Sequence, residues 1–233
     1  MLKTLVTLIL FCQIPFYMSA QTFDNLSVDA NLRKVNNSRI QNLSLTSYFA
    51  ASGKMVAIYD QPENLVIIND EKGRVVLYDT KNNTVVQANN PYYSSRTNEL
   101  YYFINNKKYD LGLSEIGFKM QSSEIEDGLI VTEWIPPMDG MKYFSFIKMV
   151  HEDDNPIYLE YRNQDNEIIK KVYYYNYQQV NYLEIPTAVT TIDFMSPMDS
   201  TVSKTTYSNF LFDDQQNEEK LNYKIPTDAK TIN

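Results

Sequence analysis

The sequence predicts a mainly β fold with a few short helices, built as one domain. Three observations carry this reading. From Ile157 to Val189 the chain reads as consecutive antiparallel strands, in which Ile157, Leu159 and Tyr161 alternate with Tyr158, Glu160 and Arg162 at the period of a half-buried strand. Comparable runs recur along most of the chain, broken by clusters of Gly, Pro, Asn and Asp that carry turn chemistry. No linker composition interrupts the 233 residues, and a chain of this length can bury one sizeable core.

In chain order, Met1-Leu2-Lys3, an apolar segment from Leu5 to Phe16 and Met18-Ser19-Ala20-Gln21 have the grammar of a secretory signal peptide. The apolar segment falls short of the ~20 residues that span a bilayer, so cleavage after Ala20 is expected, with residues 21–233 as the single domain. Cleavage removes Cys12, the only cysteine, and moves the net charge from −8 to −9 through loss of Lys3. An acidic, cysteine-free chain needs its stability from packing, and it is repelled by nucleic acid and anionic membranes.

Phe23, Leu26, Ala30 and Val35, with Asp24 as N-cap, predict a first helix over Thr22–Ser38. A meander follows: Leu43–Ala50, Lys54–Tyr59, Asn64–Ile68, Arg74–Tyr78 and Thr84–Gln87. Leu100, Phe103 and Ile104, with Ser95 or Thr97 as cap, place a short helix within Ser94–Asn106. Strands resume at Gly117–Ser122, Leu129–Ile135 and Met141–Val150, with Asp139-Gly140 as a hairpin turn. After the opening stretch come Val189–Phe194 and Ser203–Phe212, a polar loop or exposed helix over Asp213–Lys220, and an edge strand over Leu221–Ile225. In the opening stretch, Ile168, Val172 and Tyr174 fall on one face, and Ile169, Tyr173, Tyr175 and Tyr177 on the other.

Ten or more strands with apolar residues on both faces outnumber the helices that could cover them. Periodicity leaves two arrangements open, a sandwich or one sheet curved around helices and an apolar cavity. Catalytic signatures are missing from the sequence. The lone His151 excludes a two-histidine zinc site, no G-x-S-x-G or glycine-rich phosphate loop occurs, and His151 to Asn155 reads as a hairpin turn rather than a calcium loop. Neither an enzyme nor a cofactor is expected.

The order of features resembles the LolA family of periplasmic outer-membrane lipoprotein carriers. Gly53 to Ile67, with a glycine, a strand, Pro62 and then Leu65 and Ile67, is similar to the family's early motif, and Asn69 to Asp79 to its glycine turn and Tyr-Asp strand. Ile185-Pro186-Thr187, Thr205 to Asn209 and Ile225 to Ala229 resemble its last strands and ending. The family often carries an arginine before the early proline as a lid latch. Here Gln61 stands at that position and cannot supply a guanidinium fork.

The resemblance implies a curved antiparallel sheet, a half-closed β-barrel, with a helical lid over an apolar cavity that holds acyl chains. It implies a monomeric periplasmic carrier with acylated lipoproteins as cargo, an inner-membrane lipoprotein-release transporter and an outer-membrane acceptor as partners, and no stable membrane insertion. A same-fold module that senses or sequesters a lipid without transport is the alternative. Leu65 and Ile67 follow from the motif as cavity residues; Tyr78, Leu100, Phe103, Trp134 and Phe144 follow from strand or helix position.

Overall fold

A computed structural model describes residues 23–36, 39–89, 94–196 and 199–232. The expected signal peptide lies outside them. Among the described residues, fourteen strands form one sheet that curves without closing into a barrel. The first six are β1 (Asn25–Asn36), β2 (Arg39–Ala50), β3 (Met55–Gln61), β4 (Leu65–Asn69), β5 (Arg74–Asp79) and β6 (Thr84–Asn89). A 3-10 turn at Ser95–Thr97 and helix α1 (Tyr101–Ile104) follow. The next seven strands are β7 (Lys119–Glu126), β8 (Leu129–Ile135), β9 (Phe146–Glu152), β10 (Asn155–Arg162), β11 (Ile168–Val180), β12 (Leu183–Ser196) and β13 (Asp199–Phe212). Helix α2 (Gln215–Leu221) and the short β14 (Lys230–Thr231) close the chain.

The spatial order is β14-β6-β5-β4-β3-β2-β1-β13-β12-β11-β10-β9-β8-β7. Two antiparallel meanders are therefore joined in the middle by β1 and β13, while β6 and β7, consecutive in sequence, lie near opposite edges. That topology requires the chain between them to cross the sheet. Residues 94–118 do so on one face, here called inner, and become a lid.

The helix expected over Thr22–Ser38 is instead the strand β1. The same residues also carry a period of two, in which Leu26, Val28 and Ala30 are buried in the main core, and full ladders on both sides, to β2 and β13, override the helical spacing. The hairpin turn expected at Asp139-Gly140 is part of a longer loop: Gly140 and Met141 both donate to the Pro137 carbonyl, and β9 begins only at Phe146. The edge strand expected at Leu221–Ile225 is the end of α2 and an irregular segment, and the edge is β14, parallel to β6. Tyr177 packs in the inner-face core and its ring lies 6.2 Å from Phe103. The expected alternation fails there because Asn176 adopts a left-handed conformation, φ 56°.

The two faces have separate cores. On the inner face, Leu26, Val28 and Phe49 join Ile147, Met149, Leu159, Val172 and Val189 around lid residues Leu100, Phe103 and Ile104. On the outer face of β2 to β6, Val56, Val66, Tyr78 and Val85 pack under Leu221, Tyr223 and Ile225. Asp214 caps α2 by accepting from the Gln216 amide at 2.7 Å, and buried Asn217 donates to the Leu211 carbonyl at 2.9 Å, so the tail is fixed over the outer core.

Candidate ligand-binding groove

The inner face of β2 to β6 presents an apolar wall. Register places Leu65 and Ile67 of β4 on one face with Ala57 of β3, Leu77 of β5 and Val86 of β6, and Tyr59 joins them beside Leu45 of β2. Tyr59, Leu65, Ile67, Leu77 and Val86 are all half-buried, and none belongs to either core. Burial pushes the Tyr59 phenol up, as expected where the charged form would lose hydration.

Two hollows flank the lid. One, of 370 Å³, lies between the lid residues Thr97 to Leu100 and Val28, Ala30, Leu32, Leu45 and Phe49. The other, of 450 Å³, lies between the lid and Leu159, Tyr161, Val172 and Tyr174. Both fall in the size range of small-ligand pockets, and they share Thr97, Asn98, Glu99, Lys170 and Thr191. A larger hollow of 890 Å³ sits around the β4–β5 turn, where Ile68, Val75 and Val76 are interspersed with Lys54, Asp70, Glu71, Lys72 and Arg74, charged groups that an apolar guest would have to strip of water.

The lid is fastened at three places. At the β4–β5 turn, Glu71 accepts a short hydrogen bond from the Tyr101 hydroxyl and pairs with Arg96 at 3.0 Å. Together these hold its carboxyl below the usual range, the Tyr101 bond being the largest cause. Ser94 Oγ donates to the Glu71 carbonyl and Ser95 Oγ to the Gly53 carbonyl, at 2.9 and 2.7 Å. Gly53, at φ +79°, leaves room for the Glu71 side chain, on which a methyl group would land. In the middle, Glu99 accepts from the Tyr207 hydroxyl at 2.9 Å and from Thr191 at 3.3 Å. At the far end, Lys108 reaches Asn155 at 2.6 Å and Glu184 at 3.1 Å, and Tyr109 stacks on His151. Burial pushes the His151 imidazole down.

The residues singled out in the sequence are thus divided. Leu65 and Ile67 stand together on the open inner wall. Leu100 lines the smaller hollow, and Phe103, 1 % exposed, is buried against Tyr174 with ring centroids 5.3 Å apart. Trp134 is buried far along the same face on β8, donating to Thr132 at 3.0 Å, and Phe144 packs near it beside Phe118 and Tyr161. Tyr78 lies on the opposite face: it is buried in the outer core, 6.3 Å from the Tyr223 ring, with its hydroxyl donating to Asn83. Gln61 is exposed at the end of β3, after which the Gln61–Pro62 peptide is cis, and the latch at Glu71 stands elsewhere. Glu71, Arg96, Tyr101 and Glu99 were not legible as a site, because a carboxylate in a turn and side chains 25 or more residues away share no local pattern.

No family model and no curated protein matches the sequence. Solved structures do. A domain from Vibrio parahaemolyticus named for outer membrane lipoprotein sorting aligns with TM-score 0.60 at 15% identity, over 85% of this chain and 89% of that one. The chain has the LolA-like fold. A LolA superfamily protein from Nitrosomonas europaea aligns with TM-score 0.56 at 12% identity, over 84% of this chain and 89% of that one. A DUF1329 family protein from Desulfovibrio piger aligns with TM-score 0.60 at 12% identity, over 83% and 88%. At these identities the likeness is one of fold. No helix among the described residues is long and apolar enough to cross a membrane.

Proposed function

We propose that this LolA-like chain is a periplasmic carrier that takes the acyl chains of lipoproteins against its inner wall and delivers them toward the outer membrane. The observation that carries the reading is the half-buried apolar row Tyr59, Leu65, Ile67, Leu77 and Val86, on a concave face and outside both cores. Such a row is unfinished as a core and suited to an apolar guest. Burying roughly ten methylenes there is worth ~8 kcal/mol, enough to extract a chain reversibly and let it go again. Binding of this kind breaks no covalent bond, so the chain is read as holding its ligand rather than transforming it.

The lid supports the same reading. Leu100, Phe103 and Ile104 fill the middle of the groove in this structure, so a guest longer than the flanking hollows must displace them. Packing of Leu100, Phe103 and Ile104 holds the lid down, and hydrogen bonds and ion pairs add three local fastenings; an apolar guest can replace the first and leave the second to set how readily the segment opens. The proposal extends to a donor transporter at the inner membrane and an acceptor at the outer membrane.

Native mass spectrometry of the chain from Gln21 onward, with and without an acylated lipopeptide, tests binding. An adduct of one lipopeptide is expected, and no adduct at saturating ligand would overturn the reading. Depletion in cells tests transport. Lipoproteins accumulating at the inner membrane are expected of a carrier, whereas unchanged sorting would assign the groove to sensing or sequestration.

A further inference from the structure

We infer that β7 is a self-association edge through which two copies of this chain pair antiparallel, about a two-fold axis at Ser123. The monomer expected from the sequence would then be one half of the working unit. The two edges of the sheet are unlike. At one, β6 is followed only by the two-residue β14 of the tail; at the other, β7 runs for eight residues with no strand beyond it among the described residues. Its outward backbone groups are free to continue the ladder. Met120 is 43% exposed and Ile125 79% exposed on this strand.

The choice of a second copy comes from register. A two-fold axis that pairs identical edges antiparallel is perpendicular to the sheet and leaves its faces unchanged, so facing residues must lie on the same face. Met120 pairs with Trp134, and Ile125 with Ile130 opposite His151, which places both on the inner face. Five residues apart, they would fall on opposite faces of a regular strand; the bulge between Met120 and Ser122 supplies the extra residue that brings them together. Lys119 and Glu126 are likewise both on the outer face, where Glu126 lies 3.8 Å from Lys148.

With Ser123 on the axis and the bulged Gln121 unpaired, Ser122 faces Glu124 of the other copy, Met120 faces Ile125, and Lys119 faces Glu126. Each apolar and each charged end residue therefore meets its complement twice. Charges and a bulge on an edge ordinarily deter pairing with other chains. A foreign strand without the matching charges is deterred here too, and a second copy is the partner that satisfies them.

Sedimentation of the chain from Gln21 onward tests the inference. Twice the monomer mass is expected, reverting to monomer in Glu126→Lys and returning to dimer in the swapped pair Lys119→Glu with Glu126→Lys. A Ser123→Cys variant, which has no other cysteine, is expected to cross-link under mild oxidation much faster than Ser122→Cys. The reason is that facing Cα atoms in an antiparallel pair stand about 4.5–5.5 Å apart, within disulfide range. A monomer at the highest soluble concentration overturns the inference. So does a dimer that ignores Glu126→Lys, or one in which Ser123→Cys has no advantage over Ser122→Cys.

Discussion

Replacing Glu71 by alanine should loosen the lid without unfolding the sheet. The Glu71 carboxylate accepts from Tyr101, which is 4% exposed, and from Arg96, whose side chain is 40% exposed. A hydrogen bond from a buried donor to a charged acceptor contributes about 1.5–3 kcal/mol, and a half-exposed ion pair adds about 0.2–1 kcal/mol. The lid opening constant should therefore rise by about 2–4 kcal/mol, on the order of 30- to 1,000-fold. Leu100, Phe103 and Ile104 remain packed, so the closed state persists. Hydrogen exchange of the Ser95 amide, which bonds across to the Asp70 carbonyl at 3.0 Å, reads the opening directly. Glu71→Gln keeps an acceptor for Tyr101 and should fall between. Gly53→Ala should act like Glu71→Ala, because its methyl group displaces the same side chain. The pH dependence has a fixed sign. The Glu71 carboxyl is held low, so its contribution is complete above the ordinary glutamate value of about 4.3 and is lost as pH falls through the folded value. Unchanged lid exchange in a folded Glu71→Ala variant would refute the latch.

Leu65→Glu, in which a carboxylate enters the half-buried inner wall, should weaken lipopeptide binding about 5- to 150-fold while leaving the fold intact, by the ~1–3 kcal/mol cost of burying an unpaired polar group; titration calorimetry beside circular dichroism checks this. Tyr78→Phe, only one strand away but on the outer face, should lose about 1 kcal/mol of stability with its bond to Asn83 and leave lipopeptide affinity unchanged; denaturant melts and the same titration measure both. His151→Phe should flatten part of the acid side of the stability profile. Burial holds the imidazole below its ordinary value, so its share of stability is complete above about pH 6.5 and lost as pH falls through the folded value; in thermal melts the difference between wild type and variant should be constant above that pH and shift in the variant's favour in acid.

Strand positions were legible wherever alternation and turn chemistry agreed. Leu129–Ile135 was read at its observed limits, and the meander from Met55 to Asn89 within a residue or two. The misreading of β1 has a physical source. Leu26 and Ala30 satisfy a helical spacing and a strand spacing at once, and β2 and β13 decide between them, the latter through partners as distant in sequence as Phe212 opposite Leu26. Face assignment failed for a related reason. Leu65, Ile67 and Tyr78 are all apolar strand residues, and only the tail packing of Leu221 and Tyr223 over Tyr78 makes its face an interior one. The latch at Glu71 had no sequence signal at all, since its three members, Glu71, Arg96 and Tyr101, come from two turns and a helix.

The division of the apolar residues between two faces explains how an open groove can coexist with a stable sheet. Half-buried wall residues contribute little to holding β3 to β6 together, and strands this short would be poorly held by an inner face left open. The outer core supplies the missing burial. Val56, Val66, Tyr78 and Val85 are each 4% exposed or less beneath the tail, worth about 1.5–3 kcal/mol apiece relative to exposure. The strands can then keep Leu65, Ile67, Leu77 and Val86 facing the groove without depending on them. Between β9 and β13 the arrangement is reversed: the lid and the inner core cover the concave side, while Tyr158, Tyr173 and Tyr175 stand half-exposed on the convex side. The wall that a guest would touch is thus stabilised from behind, by a segment the guest never meets. The lid over the other half can open without the wall collapsing, because its fastenings reach the wall half at two turns, Asn69 to Gly73 and the one that holds Gly53.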